Sequence, residues 1–587
     1  MLLERNSKIE DALNFILENQ KAVSFDKTIF TERVIHLAQR CDKKDLAFEY
    51  VNKALQINSE NVNYYIDFFN IKSGLRLKTF EDLIRLYTED KSKTNELYKI
   101  LQEELKPVYR SRIINRLELA LSDGEDFKKI FNMYFLHNVR QNLPSFFSSI
   151  KFIYLSQTEK ISIVEDILSK HLDSIEKSKK LDTSLTGGEE MDIEPHLIWT
   201  YYFAAQHFDQ IRNSEIALKH INRAIDSTPS VVEFYMVKSK ILKHSGMLEE
   251  SATCYEKAKK LDTGDRYLNA KYAKIYARSG KISKSEEIMK EFVKDPLADD
   301  NIEHFQCMWY EVECGYSYLK NKNLLRSHRL FKFVLGHFST LIEDQFDFYN
   351  YCLRRYMLNE FAKTIEQMDR MLDSKYVYKS LEALEIILHY LRANKSKEME
   401  KSLQSEIDAM RAEKIEKYKY SDINGLITDI ENDLFNFCVK LQTYSKNLGF
   451  HRLCVKTFLE KGKFLLAFKS LNFLQDSYNK NHNFEFLSAL DLFSKELEKT
   501  KQSQNSLHVD IFLEKCPLLK NVEELQRFVS NENDKIREKL TLKGNHIANI
   551  LNEAIESYFN LSSPQEKVFE KFLNFSQKEL RAVKSVV

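Results

Sequence analysis

Apolar and small residues recur along the middle of this chain at three- and four-residue spacing, the periodicity of a helix with one buried face. From Ile198 to Ser230 the chain reads IWTYYFAAQHFDQIRNSEIALKHINRAIDSTPS, placing Tyr201, Ala205, Phe208, Ala217, Ile221, Ala224 and Pro229 at the anchors of a two-helix unit. Small Ala205 and Ala217 let two antiparallel helices approach closely, Phe208, Ile221 and Ala224 fill the seam, and Pro229 starts the next turn. The pattern returns after about 34 residues, the length of a two-helix repeat, with Tyr235, Ser239, Leu242, Gly246, Ser251, Tyr255 and Ala258. It returns again with Ala273, Tyr276, Gly280, Ser285 and Met289 and, after an insertion, with Gly315, Tyr318, Ser327, Phe331 and Val334. Four consecutive helical hairpins are predicted.

These anchors are those of the tetratricopeptide (TPR) repeat. Weaker copies lie near the start, at Ala38, Ala47, Val51 and Ala54, and in GKFLLAFKSLNFL, at Gly462, Ala467, Leu471 and Leu474. Each repeat buries its apolar face against its neighbours, so the expected fold is all-α, a TPR-like helical-hairpin solenoid curved into a horseshoe-shaped superhelix. Two stretches break the period. Ser178–Pro195, with Gly187, Gly188 and a run of acidic residues, reads as a surface loop, and Arg392–Lys419, with mixed charges at helical spacing, as a solvated helix or linker. The expected division is degenerate repeats over 1–177, a loop over 178–195, the TPR array over 196–391, the charged segment over 392–419 and a Phe- and Leu-rich helical lobe over 420–587.

Composition agrees with a buried core: 43% of residues are hydrophobic and 30% charged, and 13 glycines and 7 prolines leave few breakers. Lysine plus arginine, 88, nearly cancels aspartate plus glutamate, 87, so no global field draws the chain to nucleic acid or an anionic membrane. The eight cysteines form no CxxC, which fits reduced thiols. No window offers the roughly 20 apolar residues of a membrane span, and Met1–Gln20 lacks a signal-peptide core; the expected compartment is the cytoplasm.

The search for chemistry returns little. GxxxxGK[ST], GxGxxG, HExxH and GxSxG are absent. Cys307, Cys314 and His304 cluster in sequence around Trp309, but packing between repeats is their expected use, as it is for His207, His220 and His337. One local charge feature stands out: Lys238, Lys240, Lys243, His244, Arg266, Lys271 and Lys274, across the second and third repeats. It reads either as a solvated face or, if Lys238, Lys243, Arg266 and Lys271 share a groove, as a site for a phosphorylated small molecule or an acidic partner.

The segment Trp199–Asp226, the following STP and MVKSKILKHSG, LDTGDRYLNAKYAK at Leu261–Lys274, QCMWYEVECG at Gln306–Gly315 and DQFDFYNYCLRR at Asp344–Arg355 resemble, in order, the central repeats of the auxiliary subunit of the NatA N-terminal acetyltransferase complex. The resemblance implies a non-catalytic scaffold that holds a catalytic acetyltransferase subunit, associates with the ribosome for co-translational acetylation of nascent chains, and can take a small helical regulatory subunit. It implies no cofactor of its own, inositol hexakisphosphate near the subunit junction at positions matching Arg266 and Lys271, with Lys238 and Lys243 as further candidates, and neither membrane nor specific nucleic acid as partner. Family members carry further N-terminal repeats ahead of the region matching Glu4–Asn61, so a short N-terminus is expected here. The competing reading is a generic TPR adaptor for peptide or chaperone partners.

Overall fold

The computed structural model describes residues 2–23, 26–182, 185, 194–291, 306–355, 357–393, 397–412, 423–481 and 484–502. Among these residues the secondary structure is helical throughout, with no strand, as the periodicity requires. Most of the expected loop at 178–195, together with His304, residues 413–419 and the chain beyond 502, lies outside the described residues. The chain forms two compact units, Met1–Asp265 and Arg266–Val587.

In the first unit the hairpins pair Lys27–Arg40 with Lys44–Ile57, Glu194–Gln210 with Ser214–Ser227, and Val232–His244 with Leu248–Leu261. In the second they pair Arg266–Arg278 with Ile282–Lys290, Met308–Lys320 with Leu324–Arg354, and Leu448–Glu460 with Phe464–Asn481. The anchors do what their sizes predict. Ala38, Ala47, Ala205, Ala217, Ala224, Ala258, Ala273 and Ala467 are all fully buried, because only a small side chain lets the two backbones of a hairpin come together.

The hairpin turns share one hydrogen bond. The first helix ends on a left-handed residue, and the next amide reaches back five residues: Lys43 N to Ala38 O at 2.9 Å, Asn213 N to Phe208 O at 2.8 Å, Met247 N to Leu242 O at 3.0 Å, Lys281 N to Tyr276 O at 3.1 Å, Asn323 N to Tyr318 O at 2.9 Å and Lys463 N to Phe458 O at 2.7 Å. This is the Schellman closure, which satisfies carbonyls the helix end leaves open. Glycine holds the left-handed position at Gly246, Gly280 and Gly462, but Asp42, Arg212 and Lys322 hold it elsewhere, with φ of 56°, 71° and 62°. A glycine search alone therefore finds only half of these turns.

A second regularity runs through three hairpins. The hydroxyl of Ser251 donates to Ser239 O at 2.8 Å, that of Ser285 to Ala273 O at 2.7 Å and that of Ser327 to Gly315 O at 2.9 Å, each spanning 12 residues. All three serines are fully buried. Small size admits them to the seam, and the hydroxyl then pins one helix to the other at a fixed register.

The core of the first unit is aromatic: Phe131, Phe135, Phe146 and Phe203 pack ring on ring, with Phe146 and Phe203 stacked at 4.7 Å. Buried among such rings is Lys160, whose ammonium donates to Leu119 O (2.9 Å), Ala120 O (3.3 Å) and Gln157 Oε1 (2.9 Å) and lies 4.0 Å from the Tyr87 ring centre. It caps the C-terminus of helix Arg112–Leu121 from inside the core, where the helix dipole favours a cation. Burial nevertheless pushes its pKa down to about 7.

In the second unit the charged segment is helical over Lys397–Ala412 and buries Leu403, Ile407 and Met410 in the main core. Its Glu406 accepts a bond from Leu325 N at 3.0 Å, capping the start of helix Leu324–Arg354. That helix runs 31 residues, more than twice the 14 of Ser214–Ser227, so the fourth repeat outgrows the period.

Candidate functional site

Lys238 and Lys243 lie on helix Val232–His244 of the first unit, both half-buried. Lys238 stands near Cys254, whose thiol is raised by burial, with Lys238 opposing that rise. Arg266 and Lys271 lie on the first helix of the second unit, Arg266–Arg278. Arg266 is exposed at its start; Lys271 is half-buried, its ammonium 5.0 Å from the centre of the exposed Tyr267 ring.

The same helix carries two more cations on a stripe with Lys271, and a carboxylate from the next repeat engages both. Glu313, on helix Met308–Lys320, accepts a two-pronged bond from Arg278, Nε to Oε2 and Nη2 to Oε1, each at 2.7 Å. Lys274 pairs with the same Oε1 at 2.9 Å and sits 5.4 Å from the Trp309 ring centre. Burial would raise the Glu313 carboxyl, but the Arg278 fork and the Lys274 charge outweigh it and hold the pKa at about 2. Lys274, which the sequence places in the basic set, is thus committed to an internal pair, and its burial lowers its pKa. Nothing in the sequence marks Glu313 as its partner, because the insertion before the fourth repeat puts its anchors 42 residues after those of the third, as from Ala273 to Gly315, and not 34. Alongside, Glu311 and the His337 imidazole meet at 2.8 Å in a buried pair.

The side chains of catalytic type are set in packing roles. Cys307 and Cys314 join Ala277, Ile282, Tyr310 and Trp309 in a small apolar cluster; burial pushes their thiols up to about 11 and about 12, away from the thiolate a nucleophile needs. His207 is fully buried, bonded through Nδ1 to the Tyr154 hydroxyl at 2.7 Å, and His220 stacks between Tyr201 and Phe208; burial lowers both to about 4. One group of metal-ligating composition occurs among the described residues, His328, Asp429 and Asp433. Lys332 pairs with both of its carboxylates, so the cation there is the chain's own.

The described residues of each unit form helical hairpins that carry basic and aromatic side chains, with the cysteines and histidines named above set in packing roles. A family model described as N-terminal acetyltransferase A, auxiliary subunit, matches residues 1–423. The chain is 29% identical over 422 residues to the mouse (Mus musculus) protein named N-alpha-acetyltransferase 16, NatA auxiliary subunit, covering 70% of this chain and 46% of the relative. It is 30% identical over 388 residues to the human protein of the same name (65% and 42% covered). To the Arabidopsis thaliana N-terminal acetyltransferase A complex auxiliary subunit NAA15 it is 28% identical over 397 residues (67% and 42%). The chain thus matches less than half the length of these curated relatives. A solved structure of Naa15/Naa10 bound to HypK-THB superposes with a TM-score of 0.68 at 22% identity, covering 89% of this chain and 71% of that one, a likeness of fold.

Proposed function

Since this chain belongs to the family of N-terminal acetyltransferase A auxiliary subunits, we propose that it is the non-catalytic scaffold of such a complex, holding a catalytic acetyltransferase subunit for work on nascent chains. The observation that carries this reading is the family match across residues 1–423, which takes in all four central hairpins. The internal commitments of Cys307, Cys314, His207 and His220 support a role in which acetyl transfer comes from a partner. A ribosome as docking platform and a small helical regulatory subunit belong to the same proposal, as does the cytoplasm as compartment; no described helix is long and apolar enough to cross a membrane.

Arg266 and Lys271 of the second unit are proposed to hold a polyanion such as inositol hexakisphosphate, and Lys238 and Lys243 of the first unit are further candidates. Their exposed or half-buried placement supports this, since guanidinium and ammonium groups reaching solvent can meet phosphate oxygens. Two measurements test the proposal. Co-expression with a catalytic subunit should yield a complex stable to moderate salt, burying more than the roughly 1,600 Å² of a standard interface. Added inositol hexakisphosphate should raise the unfolding temperature of the chain or its complex, an effect lost on reversing charge at Arg266 and Lys271; an unchanged unfolding temperature removes the polyanion site from the account.

A further inference from the structure

Two helices of the second unit, Leu324–Arg354 and Ile423–Leu441, bring four polar side chains face to face. His328 and Lys332 stand one turn apart on the first, Asp429 and Asp433 one turn apart on the second, and residues four apart share a helix face. One ring nitrogen of His328 and one oxygen of each aspartate all lie within 4.8 Å of one another. His328 is only 1% exposed, and its Nε2 stands 3.9 Å from Asp429 Oδ2. Both aspartates are half-buried.

Lys332 marks this position as one that holds a positive charge. Its ammonium lies 3.3 Å from Asp433 Oδ2 and also pairs with Asp429 Oδ2. The match is incomplete, because one ammonium brings a single positive charge against two carboxylates and leaves a net negative charge beside a buried imidazole. A divalent ion brings two charges, and an ion of borderline softness takes an imidazole lone pair as readily as carboxylate oxygens. The Lys332 side chain is 42% exposed and its stem is flexible, so its ammonium can exchange the aspartates for water without a charge being left buried. One imidazole nitrogen and two carboxylate oxygens suit zinc, with three protein ligands and a fourth position left to water. Magnesium and calcium prefer oxygen alone and more of it, and suit the set poorly.

We propose that His328, Asp429 and Asp433 form a binding site for a divalent transition-metal ion of the zinc class, with Lys332 as the built-in competitor that the ion displaces to solvent. Binding exchanges water on the ion for the three side chains, while Lys332 keeps its proton, and it ties helix Leu324–Arg354 to helix Ile423–Leu441. The site is independent of the acetyltransferase reading and uses none of the polyanion residues named above.

The test uses the full chain, stripped with a chelator and exchanged into chelator-free buffer, and zinc chloride as the ligand. Isothermal titration calorimetry should show zinc binding that excess magnesium chloride leaves unchanged, and the unfolding temperature should rise as zinc is added. Asp429→Asn and Asp433→Asn should each weaken binding about tenfold or more. Lys332→Gln should tighten it about tenfold, because no ammonium then competes for the carboxylates. Circular dichroism checks that each variant is folded; should an asparagine variant unfold, Lys332→Gln, at a partly exposed position, supplies the reading. Absence of zinc binding by the wild type overturns the proposal even where Lys332→Gln binds, since Lys332 then bars the ion. Zinc binding that all three substitutions leave unchanged overturns it as well, because the ion then sits elsewhere on the chain.

Discussion

The ring of Phe331 lies directly against Gly315: a Cβ built on that glycine would stand 2.8 Å from Cζ and 3.0 Å from Cε2 of the ring. The two come from opposite helices of the fourth hairpin, and Phe331 is fully buried, edge-on to Tyr316 with ring centres 5.2 Å apart. Exchanging glycine for alanine inside a helix ordinarily gains about 0.5–1 kcal/mol, but here the clash has nowhere to go. Gly315→Ala should therefore destabilise the second unit by about 1–3 kcal/mol, the usual cost of overpacking, and adding Phe331→Leu should recover part of the loss. Chemical denaturation of the two variants decides it; a stabilised Gly315→Ala would mean that the hairpin can open around the ring.

The serine bonds make a finer prediction. Ser285→Ala and Ser327→Ala each delete a hydroxyl that donates to a helix carbonyl across the seam, at an expected cost of about 1 kcal/mol. Ser→Val at the same positions should cost more, because the added methyls meet a fully buried seam. Equal stability of wild type and alanine variants would reduce the serines to spacers.

At the turns, Arg212 and Lys322 sit in the left-handed region with φ of 71° and 62°, where a side chain costs about 1 kcal/mol. Arg212→Gly and Lys322→Gly should each raise stability by about 0.5–1 kcal/mol, despite glycine's entropy in the unfolded chain. Thermal unfolding of the single and double variants is the check, and a fall in both would show that these side chains contribute more than they strain.

Acid should act through Glu313. Its carboxyl titrates near 2 in the fold against an ordinary 4.5, so its contribution is complete above about pH 4.5 and is lost as pH falls toward 2. Glu385, held at about 2 by Lys456 and Arg452 against the effect of burial, adds to the same window. Glu313→Gln should lower stability at neutral pH by about 2 kcal/mol and flatten the stability profile between pH 4.5 and 2. A slope identical to wild type would place the acid sensitivity elsewhere.

How much of this was legible in the sequence differs from element to element. The hairpins of the central array follow from Ala205, Ala217, Phe208 and their counterparts, because residue size at fixed spacing dictates how two helices pack. Ser239, Ser251, Ser285 and Ser327 were legible as small residues; their hydroxyl bonds were not, since a serine that fits and a serine that bonds look alike in a string of letters. Lys238, Lys243, Arg266 and Lys271 could be placed on their helices, but not the commitment of Lys274 and Arg278 to Glu313, which depends on one repeat stacking on the next. Lys160 carries no signal at all: a lysine inside an aromatic core is spelled like one on the surface. The length of Leu324–Arg354 escaped the repeat period because nothing in residues 337–350 breaks a helix.

The central claim is that this chain scaffolds an acetyltransferase it does not itself supply. The most direct measurement is a tagged pull-down from native cytosol at moderate salt, with mass spectrometry of the recovered proteins and an acetylation assay on peptides beginning with serine or alanine. The account predicts a small acetyltransferase recovered in stoichiometric amount, with activity that the chain alone lacks. Chaperones, or no stable partner, recovered in its place would contradict it and favour a generic repeat adaptor.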